Sequence, residues 1–353
     1  MTSETINVST GPVHISQQVL AALASAPVSH RSADFLRLYY NTTQFLCTAS
    51  NTSRCYLLTG SGTAANEAMI CQIKMFGGKG LILSNGEFGE RLIRQGTRWG
   101  LTFHQMSLAW GEQINLTAFE TRVKNHEIKW VFFCHCETST GVMNDLEGIA
   151  EICKRYSCQC FADCMSTVGT YSLDLSNVTM ASASSGKGLA SIPGLAILFS
   201  NIEPAPSGEI PFYFDLSHYK KKDGVPYTIS SNLVHALNVS VRQKLNCEQF
   251  ELIEDYSQRC FSVLNDGKIL LFHNPGSRVF TMSSPANTTK EMAGRLLAEN
   301  IVCSCESEYL RSRDWCQIAL FGYYKEAELK RFIDVLKRIV AVPVLKSRHS
   351  AFL

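Results

Sequence analysis

Residues 54–84 read RCYLLTGSGTAANEAMICQIKMFGGKGLILS, and this stretch decides the fold class. The run RCYLLT (54–59) is apolar and ends at Gly60-Ser61-Gly62, the pattern of a buried strand closed by a tight turn. TAANEAMICQIKMF (63–76) predicts a helix that Gly77 and Gly78 stop, and GLILS (80–84) predicts the next strand. The alternation continues outward: a helix over 88–99 ending at Gly100, a strand LTFHQM, a helix over 115–124 and a strand WVFFCHC (130–136). Asp145 opens a helix whose Leu146, Ile149, Ala150, Cys153 and Tyr156 share one face. CQCFADC (158–164), VTMASAS (178–184) and LAILFS (195–200) complete the strands. Such βα alternation predicts an α/β fold, a mostly parallel sheet covered by helices.

Beyond this, residues 201–227 hold four of the ten prolines and predict a long excursion near the edge of the large domain. Residues 230–264 read as largely helical. The remainder predicts a smaller α+β domain, with strand-like SRVFTM (277–282) and WCQIAL (315–320) flanking helices over 288–299 and 325–340. The expected division is a large domain over 16–230 and a small C-terminal domain over 231–353 that also takes residues 1–15.

The chain has 353 residues, 45% apolar and 18% charged, which excludes intrinsic disorder. Its 33 basic and 31 acidic residues argue against a general nucleic-acid or polybasic membrane binder. No run of 18 apolar residues occurs to span a bilayer, and MTSETINVST lacks the basic and apolar regions of a signal peptide. Without a secretory route, the seven N-x-S/T sequons carry no information. The 14 cysteines then read as reduced, small apolar residues of a cytoplasmic protein. C-x-C pairs at 134/136, 158/160 and 303/305 could ligate zinc, but they lack the usual C-x2-C spacing, and no metal is expected.

In α/β sheets, ligands bind beyond the carboxyl ends of the strands. Gly60-Ser61-Gly62-Thr63-Ala64-Ala65 has G-x-G-x-x-A spacing between a strand and a helix. It suits a dinucleotide, any phosphate held at the helix N-terminus, or a tight turn with no ligand. The dinucleotide reading, a nicotinamide dehydrogenase, wants an acid ending the next strand, which instead ends Ser84-Asn85-Gly86 with Glu87 beyond the turn. The polar run His135-Cys136-Glu137-Thr138-Ser139-Thr140-Gly141 follows a buried strand and suits either a ligand-facing rim or a helix-capping turn. Asp163 ends another buried strand, where a carboxylate is costly unless paired. Lys187 sits in the Ser/Gly-rich run Ser184-Ser185-Gly186-Lys187-Gly188, an unusual setting for a lysine.

The order of these features resembles the fold-type I pyridoxal-phosphate enzymes and, more finely, the class V aminotransferases. The stretches that carry the likeness are Gly11-Pro12, Ser29-His30-Arg31, Gly60–Thr63, Asn85–Arg91, His135–Gly141, Asp163–Gly169 and Lys187 with Pro193-Gly194. The likeness is greatest to the aminotransferases of 2-aminoethylphosphonate with pyruvate and of alanine with glyoxylate. It implies a seven-stranded, mostly parallel sheet, a pyridoxal 5'-phosphate cofactor and a homodimer with shared sites. It implies Lys187 as the Schiff-base lysine and proton shuttle, and Asp163 as partner of the pyridine nitrogen. Ser61, Gly62 and Thr63 would serve the phosphate, Phe88 would stack on the ring, and Thr138 would bond near the ring oxygen. Met165 and Ser184 would complete the cofactor pocket. Tyr227 and Thr228 would reach the phosphate of the neighbouring subunit, and His30, Arg31 and Gln317 would meet substrate.

Three positions depart from the family pattern. Gly186 stands where an Asn or Gln usually precedes the lysine, and SIPG (191–194) replaces a more usual GVPG or PPG. Gln317-Ile318-Ala319 stands where an R-I-G usually supplies an arginine clamp for the substrate carboxylate. Arg31, Arg311 or Arg313 could replace the clamp. Without one, the same lysine could serve a lyase or another biosynthetic reaction instead of amino transfer.

Overall fold

The structure, a computed structural model, describes residues 5–272, 274, 276–283 and 289–341. Its centre is a seven-stranded sheet in the order Arg54–Thr59, Leu195–Ser200, Met180–Ser184, Gln159–Asp163, Trp130–Cys134, Gly80–Ser84, Phe103–Ser107. Leu195–Ser200 runs antiparallel to both neighbours, and the other six strands run one way. Their carboxyl ends therefore open on one edge of the sheet.

Period-2 alternation sends successive residues to opposite helical layers. Leu57 and Phe133 pack with Phe35 and Leu46 of the helix Ala33–Ser50 and with the helices Leu116–Asn125 and Leu146–Arg155. Leu58 and Phe132 pack on the other side with Ala65 and Met69 of the helix Gly62–Phe76. Where both faces are covered, as in Arg54–Thr59, Gly80–Ser84, Trp130–Cys134 and Leu195–Ser200, the strands are largely apolar, which is why short apolar runs located them in the sequence. The edge strand Phe103–Ser107 is partly exposed and carries His104 and Gln105.

The runs at 54–59, 80–84 and 195–200 are strands end to end. The expected strand 130–136 leaves the sheet at Cys134, because Cys136–Glu137 folds back against Val142–Met143 as a small hairpin. The strand expected from Leu101 starts at Phe103, since the Leu101 N–H still bonds Gly96 and Gly100 takes a φ of 68° to close the preceding helix. The excursion over 201–227 holds one helical turn, Phe212–Phe214, and the short helix Leu216–Lys221 capped by Asp215. Two helices without a prior assignment, Gln17–Leu23 and Ala33–Ser50, begin at Ser16 and Ser32, whose side chains accept from Val19 and Phe35.

A second core joins the chain's two ends. Ile6–Asn7 pairs with Ile301–Val302, and Val279–Met282 pairs antiparallel with Cys316–Ala319. Helices Cys247–Asp266, Thr289–Ala298 and Glu326–Ala341 cover them around Phe280, Ile318 and Phe332. Val234, Leu237 and Val241 of the helix Ser231–Lys244 instead join the core of the large sheet. Residues 288, 1–4 and 342–353, which the expected helix and domain limits include, lie outside the described residues. All 14 cysteines are free, and no described helix is long and apolar enough to cross a membrane.

Candidate active site

Asp163 is the last residue of its strand and shares a face with Phe161, towards the helix Gly62–Phe76. Asn66, in that helix, donates from Nδ2 to Asp163 Oδ2 at 2.7 Å and accepts at Oδ1 from Ser182 Oγ at 2.6 Å. The Met165 N–H donates to Asp163 Oδ1 at 3.0 Å. Burial pushes the Asp163 carboxyl above the usual range, while these two donors, Lys187 and Arg91 pull it back. The strand-end carboxylate is thus buried, supported and still open to a cationic partner.

The helix Gly62–Phe76 starts beside it. Its cap residue Ser61 makes no side-chain capping bond and its carbonyl takes the Ala64 N–H at 2.9 Å, so the N–H groups of Gly62 and Thr63, at the positive end of the helix dipole, are left for an anion. Gly62 approaches the Met165 side chain closely, and a Cβ there would make the Met165 sulfur shift.

Lys187 lies in the connection 185–194 that joins the antiparallel strands Met180–Ser184 and Leu195–Ser200. Its Nζ donates to the Thr10 carbonyl at 3.1 Å and stands 6.0 Å from the centre of the Phe88 ring. Burial lowers the ammonium pKa, and Asp163 opposes that shift. An amine eased towards its neutral form is the more reactive nucleophile and proton carrier.

Phe88 belongs to the first turn of the helix Glu87–Arg98 and is fixed from the rim loop. Glu137, fully buried, accepts the N–H groups of Phe88 at 3.2 Å and Gly89 at 2.9 Å, and the Ser139 hydroxyl at 2.5 Å. Gly86 has no room for a Cβ against Glu137 and Ser139. On the outer side, Tyr309 meets the Phe88 ring edge-on at 6.2 Å.

These groups converge on one cavity of ≈ 200 Å³. Ser61, Gly62, Thr63, Phe88, Thr138, Asp163, Met165, Ser184 and Lys187, nine of the expected residues, line it. Thr138 Oγ1 and Ser166 Oγ share a 2.5 Å hydrogen bond, and Ser166 lines the cavity as well. Tyr227 and Thr228 stand away from it, in a hollow of tyrosines where the Tyr227 hydroxyl donates to the Phe212 carbonyl at 3.0 Å. Arg31 is exposed and bonds the carbonyls of Val225 at 3.0 Å and Pro226 at 3.1 Å, and neither it nor His30 lines the cavity. Gln317 is buried behind the rim loop and does not line the cavity either.

Sequence reasoning gave no role to three residues that the structure makes important. Asn66 had a signal, lying one helical turn beyond Gly62 on the same face. Arg91 stood inside a quoted motif, one turn after Phe88, and lines the cavity. Tyr309 had none, because only the fold brings residue 309 to residue 88.

Known proteins share this architecture. The family model described as aminotransferase class V matches residues 17–207. The soluble hydrogenase 42 kDa subunit of Anabaena cylindrica is 32% identical over 247 residues, covering 65% of this chain and 64% of its own length. The 2-aminoethylphosphonate–pyruvate transaminase of Pseudomonas fluorescens is 31% identical over 204 residues, 55% of each chain. The match thus spans less than two thirds of both relatives. In fold, the crystal structure of an alanine–glyoxylate aminotransferase from Nostoc superposes with a TM-score of 0.84 at 24% identity over 96% of both chains.

Proposed function

The chain belongs to the class V aminotransferase family, and from that premise we propose that it is a pyridoxal-phosphate-dependent aminotransferase. The amino donor is a small amine or amino acid, with 2-aminoethylphosphonate the leading choice, and the acceptor is a 2-oxo acid such as pyruvate or glyoxylate. The name of the Pseudomonas relative supports that donor. The observation that carries the reading is the meeting of Lys187, Asp163, Phe88 and an uncapped helix N-terminus in one cavity. A nicotinamide dehydrogenase would leave the lysine and the buried aspartate without work.

The residues present fit pyridoxal phosphate. Its phosphate has the N–H groups of Gly62 and Thr63 and the hydroxyls of Ser61 and Thr63. Asp163 is acceptor-only when ionised and suits a protonated ring nitrogen. When bound, the cofactor supplies an electron sink for the pair left as a proton departs from the donor's Cα.

The chain's own residues do the rest. Lys187, whose Nζ stands in the cavity with its pKa lowered by burial, would hold the cofactor through its amine and would serve as the base that moves the proton at the substrate carbon. Asn66 and the Met165 N–H favour the ionised form of Asp163 against the effect of burial, and in that form it would keep a proton on the ring nitrogen. Phe88, locked by Glu137, covers the ring face and excludes water. Thr138, steadied by Ser166, offers a hydroxyl to the ring oxygen.

We read the protein as a homodimer in which Tyr227 and Thr228 of each copy complete the neighbour's phosphate site. The large unit over 16–230, whose core also takes in the helix Ser231–Lys244, then presents the cofactor, and the smaller unit covers it.

The test is a pair of half-reactions on the purified protein loaded with cofactor. The visible absorbance should fall when the amino donor is added and return when the 2-oxo acid follows. A donor that is consumed while the absorbance persists would overturn amino transfer in favour of a lyase.

A further inference from the structure

The two anionic substrates of this reaction need a cation in the cavity besides the reacting amine of Lys187. Gln317 does not supply polarity there. Its Nε2 donates to the carbonyls of Thr138 at 2.7 Å and Ser139 at 3.1 Å and to Thr281 Oγ1 at 2.8 Å. Its Oε1 accepts from the Tyr309 hydroxyl at 3.0 Å. Both ends of the amide are occupied, so Gln317 ties its strand to the rim loop.

Arg31 and Arg313 are engaged away from the cavity, and Arg311 is exposed and does not line it. Arg31 binds two backbone carbonyls, and Arg313 lies on the Trp110 ring at 3.8 Å. Arg91 differs from both. It lines the cavity one helical turn after Phe88, with Cζ 4.8 Å from the ring centre. Its acidic neighbour Glu87 stands 3.9 Å away and is held by Arg94 at 2.8 Å. Among the described residues, no hydrogen bond uses up the Arg91 guanidinium.

We propose that Arg91 is the specificity-determining receptor for the substrate's anionic group, carboxylate or phosphonate, in this cavity. The inference rests on the aminotransferase reading and adds the residue that recognises the substrate. A guanidinium presents a planar fork of donors that matches either oxyanion through two parallel bonds. Glu137 fixes the first turn of the same helix, so the ring-stacking residue and the cation keep one spacing. Arg91 also acts on the catalytic pair, because its charge lowers the pKa of both Asp163 and Lys187. A bound substrate anion offsets that charge and makes the Lys187 amine more basic, coupling recognition to proton transfer.

Propionate and ethylphosphonate test this. Each carries one of the two anions, and neither has the amine or oxo group needed to react. Binding to the cofactor-loaded protein is followed by calorimetry. At least one probe should bind the wild type, and the better one names the preferred anion. R91Q should weaken it about tenfold or more, R91K should recover part of the loss, and R313Q should leave it unchanged. Cofactor absorbance should be retained in R91Q, with KM raised more than kcat is lowered. Equal binding by R91Q and wild type, or no binding of either probe by the wild type, would overturn the proposal. If the wild type takes up no cofactor but binds a probe through Arg91, the aminotransferase reading falls and the role of Arg91 stands.

Discussion

Glu137 accepts the backbone N–H of Phe88, so a buried acid of the rim loop sets the aromatic wall of the cavity. Its carboxylate sits at the positive end of the helix Glu87–Arg98, where a negative charge is favoured. The Ser139 hydroxyl and N–H complete its coordination. Burial raises the Glu137 pKa, and these four donors oppose the shift.

Glu137→Gln should therefore cost stability as well as cofactor. The amide would turn an NH2 group towards N–H donors, leaving buried groups unpaired at about 1–3 kcal/mol. Denaturant titration with and without cofactor checks this. A midpoint equal to wild type would show that Glu137 does not hold the helix.

Asn66→Ala should act on the reaction more than on the fold. Asp163 would lose one of its two hydrogen-bond donors, and its pKa would rise further under burial. Ionised Asp163 would then require a higher pH, moving the acid limb of the pH–rate profile upwards. We expect about a tenfold loss of kcat near neutrality, as for loss of one bond to a charged group. An unmoved acid limb would count against the pairing.

Lys187→Ala should abolish turnover by about a thousandfold or more, since both its roles disappear. The fold should survive, because among the described residues the Nζ group makes one hydrogen bond, to the Thr10 carbonyl. Visible absorbance and circular dichroism separate the two effects. Activity near wild type would end the catalytic assignment.

These assignments show where the sequence was informative. Lys187, Asp163 and Gly62 stood out because each conflicts with its surroundings: a lysine among glycines, an acid ending an apolar strand, a glycine opening a helix. Most of the sheet was legible because both its faces are covered, leaving short apolar runs between glycines. The short hairpin at 136–143 was not, since two-residue strands have too few residues to show a period. The saturation of Gln317 was also hidden, because its partners Thr138, Ser139, Thr281 and Tyr309 come together only through the fold. A substitution against a family pattern is visible in sequence, whereas the bonds that occupy it are not.

His135 predicts an acid sensitivity. It is buried against Thr167, with 3.0 Å between Nδ1 and Oγ1, and burial pushes its pKa down from 6.5 to about 4. The unfolded chain then binds the proton first as pH falls. Stability on this account is full above pH 6.5 and declines down to about pH 4, by about 3 kcal/mol in all. Denaturant midpoints for wild type and His135→Asn should converge as the pH falls through this window. A constant difference would place the acid sensitivity elsewhere.

The reversed strand Leu195–Ser200 has an electrostatic consequence. Had the chain continued in parallel after Ser184, a crossover helix would have followed, its positive end close to Lys187. A hairpin-like return avoids that field and holds the lysine from both sides. The Ser185 N–H bonds the Leu195 carbonyl at 3.0 Å, and the Ala190 N–H bonds that of Lys187 at 2.7 Å. Two dipoles of opposite use thus share one sheet edge. The helix after Gly60 offers its positive end to an anion, while the segment that carries the amine is a return between two strands and opens no helix of its own.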